Sequence, residues 1–209
     1  MSLNGFSQSD FDVFKIEGLE NRMEAIQTKI QPTFKDIGER LVSDLSILLG
    51  NEMYLHIAKH ARRKVNPPKD TWMAICHDKR GYKKHPHFQL GLFDDHLFIW
   101  FALIYEAPNK SSIANALLND LDLLTNLPSN YVVSLDHMKK EATSLEAKDQ
   151  DALIADLTRL RDVKKAEFLV GRHLQPDNPI VNDGQALANF TKETYEQLLP
   201  IYKKAMQHS

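Results

Sequence analysis

Leu19, Met23, Ile26, Ile30, Phe34, Ile37, Leu41, Leu45 and Leu48 recur at steps of three or four residues and stop at Gly50. Beyond Gly50 the period becomes strand-like: Met53 to His60 and His87 to Phe93 alternate, and Trp72 to His77 is a short apolar run. A step near 3.6 keeps side chains on one stripe of a helix, whereas a step of two keeps them on one face of a strand. A chain that runs helix first and strands afterwards buries that stripe against the sheet it precedes. The stripe predicts a helix over 19–49 with Gly50 as its stop. Pro32 lacks the amide for an i−4 bond, so a kink, or two helices meeting near Gln31, is expected inside that span. Upstream, Ser9 followed by Asp12 resembles a capping box opening a short helix, Ser9 to Phe14, that ends before Glu17-Gly18.

After Gly50 the pattern predicts strands over 53–60, 72–77, 87–93 and 97–106, the last two joined by Asp94-Asp95-His96. Leu97 to Glu106 is aromatic and β-branched enough for a central strand covered on both faces. A helix is expected over 111–124, a strand over 131–135, a helix over 149–163, a strand over 166–174 and a final helix over 183–204, with Pro200 distorting its last turn. The strands holding Trp72, Phe88 and Leu97 are joined by connections too short for crossover helices, so a doubly wound parallel sheet is disfavoured. The fold class read from the chain is α+β, a largely antiparallel or mixed sheet packed with N- and C-terminal helices. No linker or repeat divides it, so one domain over 1–209 is expected.

The longest apolar run, Leu97 to Tyr105, is about half of the ~20 residues that span a bilayer, and the first residues lack a basic-then-apolar leader pattern. Neither export nor membrane insertion is expected. Cys76 is the only cysteine, which excludes an intrachain disulfide and a cysteine-based zinc site and points to a reducing cytoplasm. Set in an apolar strand, it reads as a core residue and not a nucleophile. No phosphate loop, dinucleotide fingerprint, nucleophile elbow or zinc knuckle is present.

The formal charge of −2 conceals a strong polarity. Between Tyr54 and Gln89 stand Lys59, Arg62, Arg63, Lys64, Lys69, Lys79, Arg80, Lys83 and Lys84 against only Asp70 and Asp78, a local +7 that leaves −9 elsewhere. Five of the nine histidines, at 56, 60, 77, 85 and 87, share this segment. Such a concentration repels itself and suggests a bound anion, phosphate or nucleic acid, although charge runs also serve simply to solvate loops. On strands, His56, Ala58 and His60 share a face, as do His87, Gln89 and Gly91. The small residues then leave room for a concave floor with the arginines at its rim. Glu106 is a candidate acceptor, and Asn66-Pro67-Pro68-Lys69-Asp70 is a stiff loop holding the rim. In Arg80-Gly81-Tyr82-Lys83-Lys84 an aromatic sits among cations, a mixture able to stack a base and neutralise its phosphates. His56 and His60 on one strand lie ~13 Å apart and cannot share a metal, and His85-Pro86-His87 lacks an identifiable third ligand, so no metal site is assigned. Asp136 and His137, read as adjacent strand residues, point to opposite faces and are not expected to pair.

The strings FKIEGLENRMEAI, HIAKHARRKVNPPKDTW, KRGYKKHPHFQLGLF and VKKAEFLVGR resemble the YktB family of uncharacterised proteins from Gram-positive bacteria, over nearly the whole chain. Matching residues include Arg22, His56, Lys59, His60, Arg62, Arg63, Asn66, Pro67, Pro68, Trp72, Arg80, Gly81, Tyr82, Lys83, His87, Gln89, Asp136, His137, Lys164, Lys165 and Glu167. Leu55 and His85 depart from the pattern, which weakens any role for His85. The resemblance implies a cytoplasmic single-domain α+β protein with no established activity, its sheet similar to those of biotin-ligase and class II synthetase-like folds but without the synthetase motifs. Fold likeness confers no reaction.

Three functions follow as expectations. The first is binding of a phosphate-bearing anionic ligand, a nucleotide or RNA, by Lys59, Arg62, Arg63, Asn66, Arg80, Tyr82, Lys83, Lys84 and Gln89. The second is an enzyme acting on a small anionic substrate, with His56, His60, His87 or Glu106 as acid or base. The third is a structural or partner-binding module whose basic face meets an acidic surface. The sequence does not identify a cofactor.

Overall fold

Ser7, and not Ser9, caps the first helix in a computed structural model of the chain, which describes residues 3–209. Its backbone N–H donates to Asp10 Oδ2 at 2.8 Å, the reciprocal half of a capping box, and α1 runs Gln8–Phe11. A 3₁₀ turn, Asp12–Lys15, follows. The long stripe then forms α2 (Leu19–Ala25), a π-helical turn (Ile26–Ile30) and α3 (Gln31–Leu49), ended by Gly50 at φ 68°. The π turn resolves the Pro32 conflict. With bonds reaching five residues back, as Gln31 N–H does to Ile26 O, the helix passes the position where Pro32 offers no amide.

The strands are β1 (Tyr54–Ile57), β2 (Thr71–Cys76), β3 (His87–Leu92) and β4 (Leu97–Leu103). Then come α4 (Lys110–Leu118), α5 (Asp122–Thr125), β5 (Val132–Ser134), β6 (Thr143–Ser144), α6 (Gln150–Asp162), β7 (Phe168–Leu174), α7 (Pro179–Asn182) and α8 (Gly184–Met206). The seven strands among the described residues join one antiparallel sheet in the order β1-β2-β3-β4-β7-β5-β6, so the fold is α+β. β4 lies at its middle and is buried along its whole length, as its composition predicts. The helix expected over 111–124 breaks at Asn119-Asp120, where Asp120 N–H turns back to Leu117 O. The two-residue β6 carries no readable period. Pro200 does not end α8, which runs on to Met206 with Pro200 on its exposed side. Among the described residues no helix is long and apolar enough to cross a membrane.

The two sheet faces differ. Met73, Ile75, Phe88, Leu90, Ile99, Phe101 and Val170 pack under α3 and α8, where the stripe from Ile26 to Leu45 is buried. The opposite face carries Trp72, Ala74, Cys76, His87, Gln89, Gly91, Phe98, Trp100 and Ala102, and side chains from loops close over it, among them Tyr82 and Phe93. The site therefore has to be sought among those loops.

Candidate functional site

The face beneath the loops holds a closed polar network. His87 Nδ1–H donates to His85 O at 2.7 Å, and its Nε2 accepts from Gln89 Nε2 at 2.9 Å. Trp72 Nε1–H donates to Tyr82 Oη at 3.0 Å, and the Tyr82 ring lies 4.9 Å from that of His87 and 5.6 Å from that of His56. Burial pushes the His87 imidazole down to about 3, so the ring is neutral. Both His87 nitrogens have protein partners and His87 and Gln89 are buried, which leaves His87 unavailable as an acid or a base. The shared face of His56 and Ala58 with His87, Gln89 and Gly91 is present, but it forms a packed floor and not an open one.

The open space lies beside it. The ten residues 77–86 link β2 to β3 through two turns. Asp78 Oδ1 accepts from Arg80 N–H at 2.8 Å, and Tyr82 O accepts from His85 N–H at 3.0 Å. Because Tyr82 turns inward to meet Trp72, its neighbours Arg80, Lys83 and Lys84 are set towards a cleft of about 800 Å³. His56 from β1, Lys59 just past it and Glu106 just past β4 complete the lining. Four cations thus face two carboxylates, and both carboxylates are engaged: Glu106 with Lys83 at 3.4 Å, Asp78 with His85 at 3.2 Å and the Arg80 amide. His56 Nε2–H donates to Asp78 O at 3.0 Å, so it braces the loop.

The remaining basic residues do not join this cleft. β1 ends at Ile57, and His60, at φ 48°, turns the chain away, so His56 and His60 do not share a strand face. His60 Nε2 meets Thr71 Oγ1 at 3.1 Å, its ring stands edge-on to Trp72, and burial lowers it to about 4. The Pro67-Pro68 loop is tied to α2 by Arg22, whose Nη1 donates to Pro68 O at 2.9 Å and Nε to Ile16 O at 2.8 Å. Arg63 and Asn66 line a second recess of about 600 Å³ with Arg22, Lys69 and Asp70, while Arg62 is exposed and lines neither space. The cationic segment is therefore divided between two recesses.

Asp70 in the second recess is 1% exposed, and neither carboxylate oxygen has a partner among the described residues. Burial pushes its pKa up to about 6 against the opposing charges of Arg63 and His137. A carboxyl raised above its unfolded value contributes stability at low pH and loses it as pH rises through about 6. Asp70→Asn is expected to stabilise the fold near pH 7.5 by on the order of 2 kcal/mol, since each tenfold change in proton affinity is worth ~1.4 kcal/mol, with a smaller gain near pH 5.5. Urea unfolding at the two pH values measures this. A loss of stability near pH 7.5, or a gain independent of pH, would contradict it.

A third cleft, of about 590 Å³, opens where β5 ends. Asp136 and His137 lie in a turn and not on the strand, with Met138 N–H donating to Asp136 Oδ1 at 3.0 Å. Strand parity does not apply there. His137 pairs with Glu167, the residue before β7, through Nδ1 at 2.7 Å from Oε2 and 2.9 Å from Oε1. The His137 and Tyr105 backbone amides donate to the same carboxylate at 2.8 and 3.2 Å. Burial opposes the charge of Glu167, but the hydrogen bond and charge of His137 together with the two amides outweigh it and hold the carboxyl below its usual range. Donor atoms of Asp136, His137 and Glu167 lie within 4.8 Å of one another, close enough for a shared ion. Each already has a protein partner, so the set reads as a hydrogen-bonded pair and not as a vacant ligand cage. The sequence reading missed this pairing because its members are thirty positions apart and one of them sits in a turn.

Residues 6–202 match the family described as "Domain of unknown function (DUF1054)". A UPF0637 protein from Oceanobacillus iheyensis is 60% identical over 204 residues, covering 98% of each chain. One from Exiguobacterium sibiricum is 60% identical over 199 residues, 95% of this chain and 97% of its own. One from Listeria monocytogenes serotype 4b is 50% identical over 207 residues, 99% of this chain and all of its own length. These are Gram-positive bacteria, in agreement with the resemblance carried by the four strings.

Proposed function

We propose, from the premise that this chain belongs to the DUF1054 family, that it binds a small phosphate-bearing ligand of nucleotide size in the cleft between β1 and the 77–86 loop. One observation carries this reading: Lys59, Arg80, Lys83 and Lys84 share a cleft of about 800 Å³, and of the four only Lys83 has an ion-pair partner among the described residues. An oxyanion entering there gains charge-assisted hydrogen bonds and relieves the repulsion among the four cations. The volume falls within the ~300–1,000 Å³ range of small-molecule sites. A nucleotide is favoured over RNA because Arg62 and Arg63, which an extended strand would be expected to use, lie outside the cleft. A reducing, cytoplasmic setting belongs to the same reading, supported by the single buried thiol of Cys76, whose pKa burial pushes up to about 11.

The test uses ATP and pyrophosphate titrated into the protein by calorimetry. Substituting Arg80, Lys83 and Lys84 together by Ala is expected to weaken binding at least tenfold and to flatten its salt dependence, each lost charged contact contributing ~1.5 kcal/mol or more. Arg62→Ala is expected to change nothing. Binding that survives the triple substitution, or that depends on Arg62 and Arg63 instead, would overturn the proposal and favour the RNA reading in the latter case.

A further inference from the structure

The His137–Glu167 pair has the construction of an oriented general base. A ring nitrogen 2.7–2.9 Å from a carboxylate oxygen carries a proton, so in its neutral form the imidazole has its hydrogen on Nδ1 and a lone pair on Nε2. Nε2 has no partner among the described residues, and it is not one of the sealed unpartnered atoms. The side chain is 13% exposed, at the wall of the third cleft. Glu167 is 4% exposed and is locked by two backbone amides, so it cannot swing away from the ring, while the Trp72 and His137 rings stand nearly perpendicular with centroids 6.2 Å apart. This is a base held by a third group, the arrangement that proton-transfer sites use. Arg159 and Lys165 line the same cleft, are exposed and have no ion-pair partner among the described residues. A part-exposed imidazole lining one cleft with two cations that have no ion-pair partner among the described residues fits an anionic molecule that also bears an exchangeable O–H.

We propose that His137 is a catalytic base for a small oxyanion-bearing substrate held by Arg159 and Lys165, with Glu167 as its positioning residue. In the step, the substrate O–H bond breaks and its proton forms a bond to Nε2. The electron pair stays on the substrate oxygen, and the resulting imidazolium keeps its Nδ1–H on Glu167. The site is separate from the cleft beside the 77–86 loop and stands or falls independently of it.

The experiment reads His137 alone. Nitrogen NMR of the full-length protein is expected to show the Nδ1–H tautomer for neutral His137. Carbethoxylation by diethylpyrocarbonate, mapped by mass spectrometry, is expected to modify His137 at least tenfold faster than the sealed His87. Inorganic phosphate is expected to slow modification of His137 several-fold, and Arg159→Ala with Lys165→Ala, both on the exterior, is expected to abolish that protection. A purely structural His–Glu pair would show no phosphate effect. Glu167→Gln is expected to reverse the tautomer and suppress modification, but Glu167 also accepts two amides and its loss threatens the fold, so the exterior pair carries the decision. An Nε2–H tautomer in the intact protein, or protection by phosphate that persists without Arg159 and Lys165, or no protection at all, would overturn the assignment.

Discussion

Acidification from pH 7 to about pH 5 is expected to remove ~5 kcal/mol of folding stability, enough to unfold the protein or bring it to its transition. Desolvation lowers three imidazoles furthest among the described residues: the buried His87 to about 3, and the part-buried His173 and His60 to about 3 and about 4, while burial also lowers His96. A base whose pKa is lowered by folding contributes nothing above its unfolded value, near 6.5. Below that value the unfolded chain takes up protons that the folded chain refuses. At pH 5 the solution is about 1.5 pH units below the unfolded value, which corresponds to ~2 kcal/mol per histidine at ~1.4 kcal/mol for each tenfold rise in proton activity. Protonation of Asp70 works in the opposite direction and returns ~1 kcal/mol over the same interval. The difference is comparable to the 5–15 kcal/mol total stability usual for a domain. Circular dichroism against pH is expected to show a cooperative loss of structure with a midpoint above pH 4, shifted to lower pH by His173→Gln. A signal unchanged from pH 7 to pH 4 would show that these rings protonate without unfolding the chain.

Gly171→Ala is expected to prevent folding at ordinary temperature. Gly171 of β7 stands opposite Trp100 of β4 at the middle of the sheet. A Cβ there would collide with the backbone oxygen of Ile99 and press on the Trp100 ring, and a backbone atom in a central strand cannot rotate aside. Overpacking of this kind exceeds the usual 1–3 kcal/mol range of core insertions, because strands β4 and β7 would have to separate. Gly81, around which there is open space, provides the control: Gly81→Ala is expected to leave stability within about 0.5 kcal/mol. Denaturation midpoints of the two variants decide the matter, and a folded Gly171→Ala protein of near-native stability would contradict the packing described for the sheet centre.

Much of the architecture is legible in the sequence because it depends on periods. The stripe from Leu19 to Leu48, the stop at Gly50 and the alternation in β3 follow from geometry that any helix or strand shares. The order of elements yields an antiparallel α+β sheet for the same reason. The features that escaped are those set by tertiary context: the π turn that accommodates Pro32, the early end of β1 that sends His60 into a turn, and the two-residue β6. The site follows the same division. The cations of 80–84 are visible as a cluster and share one cleft, because a single ten-residue loop holds them. Arg62 and Arg63 stand close to Lys59 in the chain yet outside that cleft, because His60, at φ 48°, turns the chain between them, with Arg63 N–H donating to His60 O. His137 and Glu167 are invisible as a pair until β5 and β7 lie side by side.

Direct titration of ATP into the wild-type protein at low and at physiological salt bears most immediately on the function proposed for the cleft beside the 77–86 loop. Saturable binding to one site, weakening steeply with salt and lost when Arg80, Lys83 and Lys84 are replaced together, is the expected result. Absence of saturable binding by ATP and by pyrophosphate at low salt would contradict it.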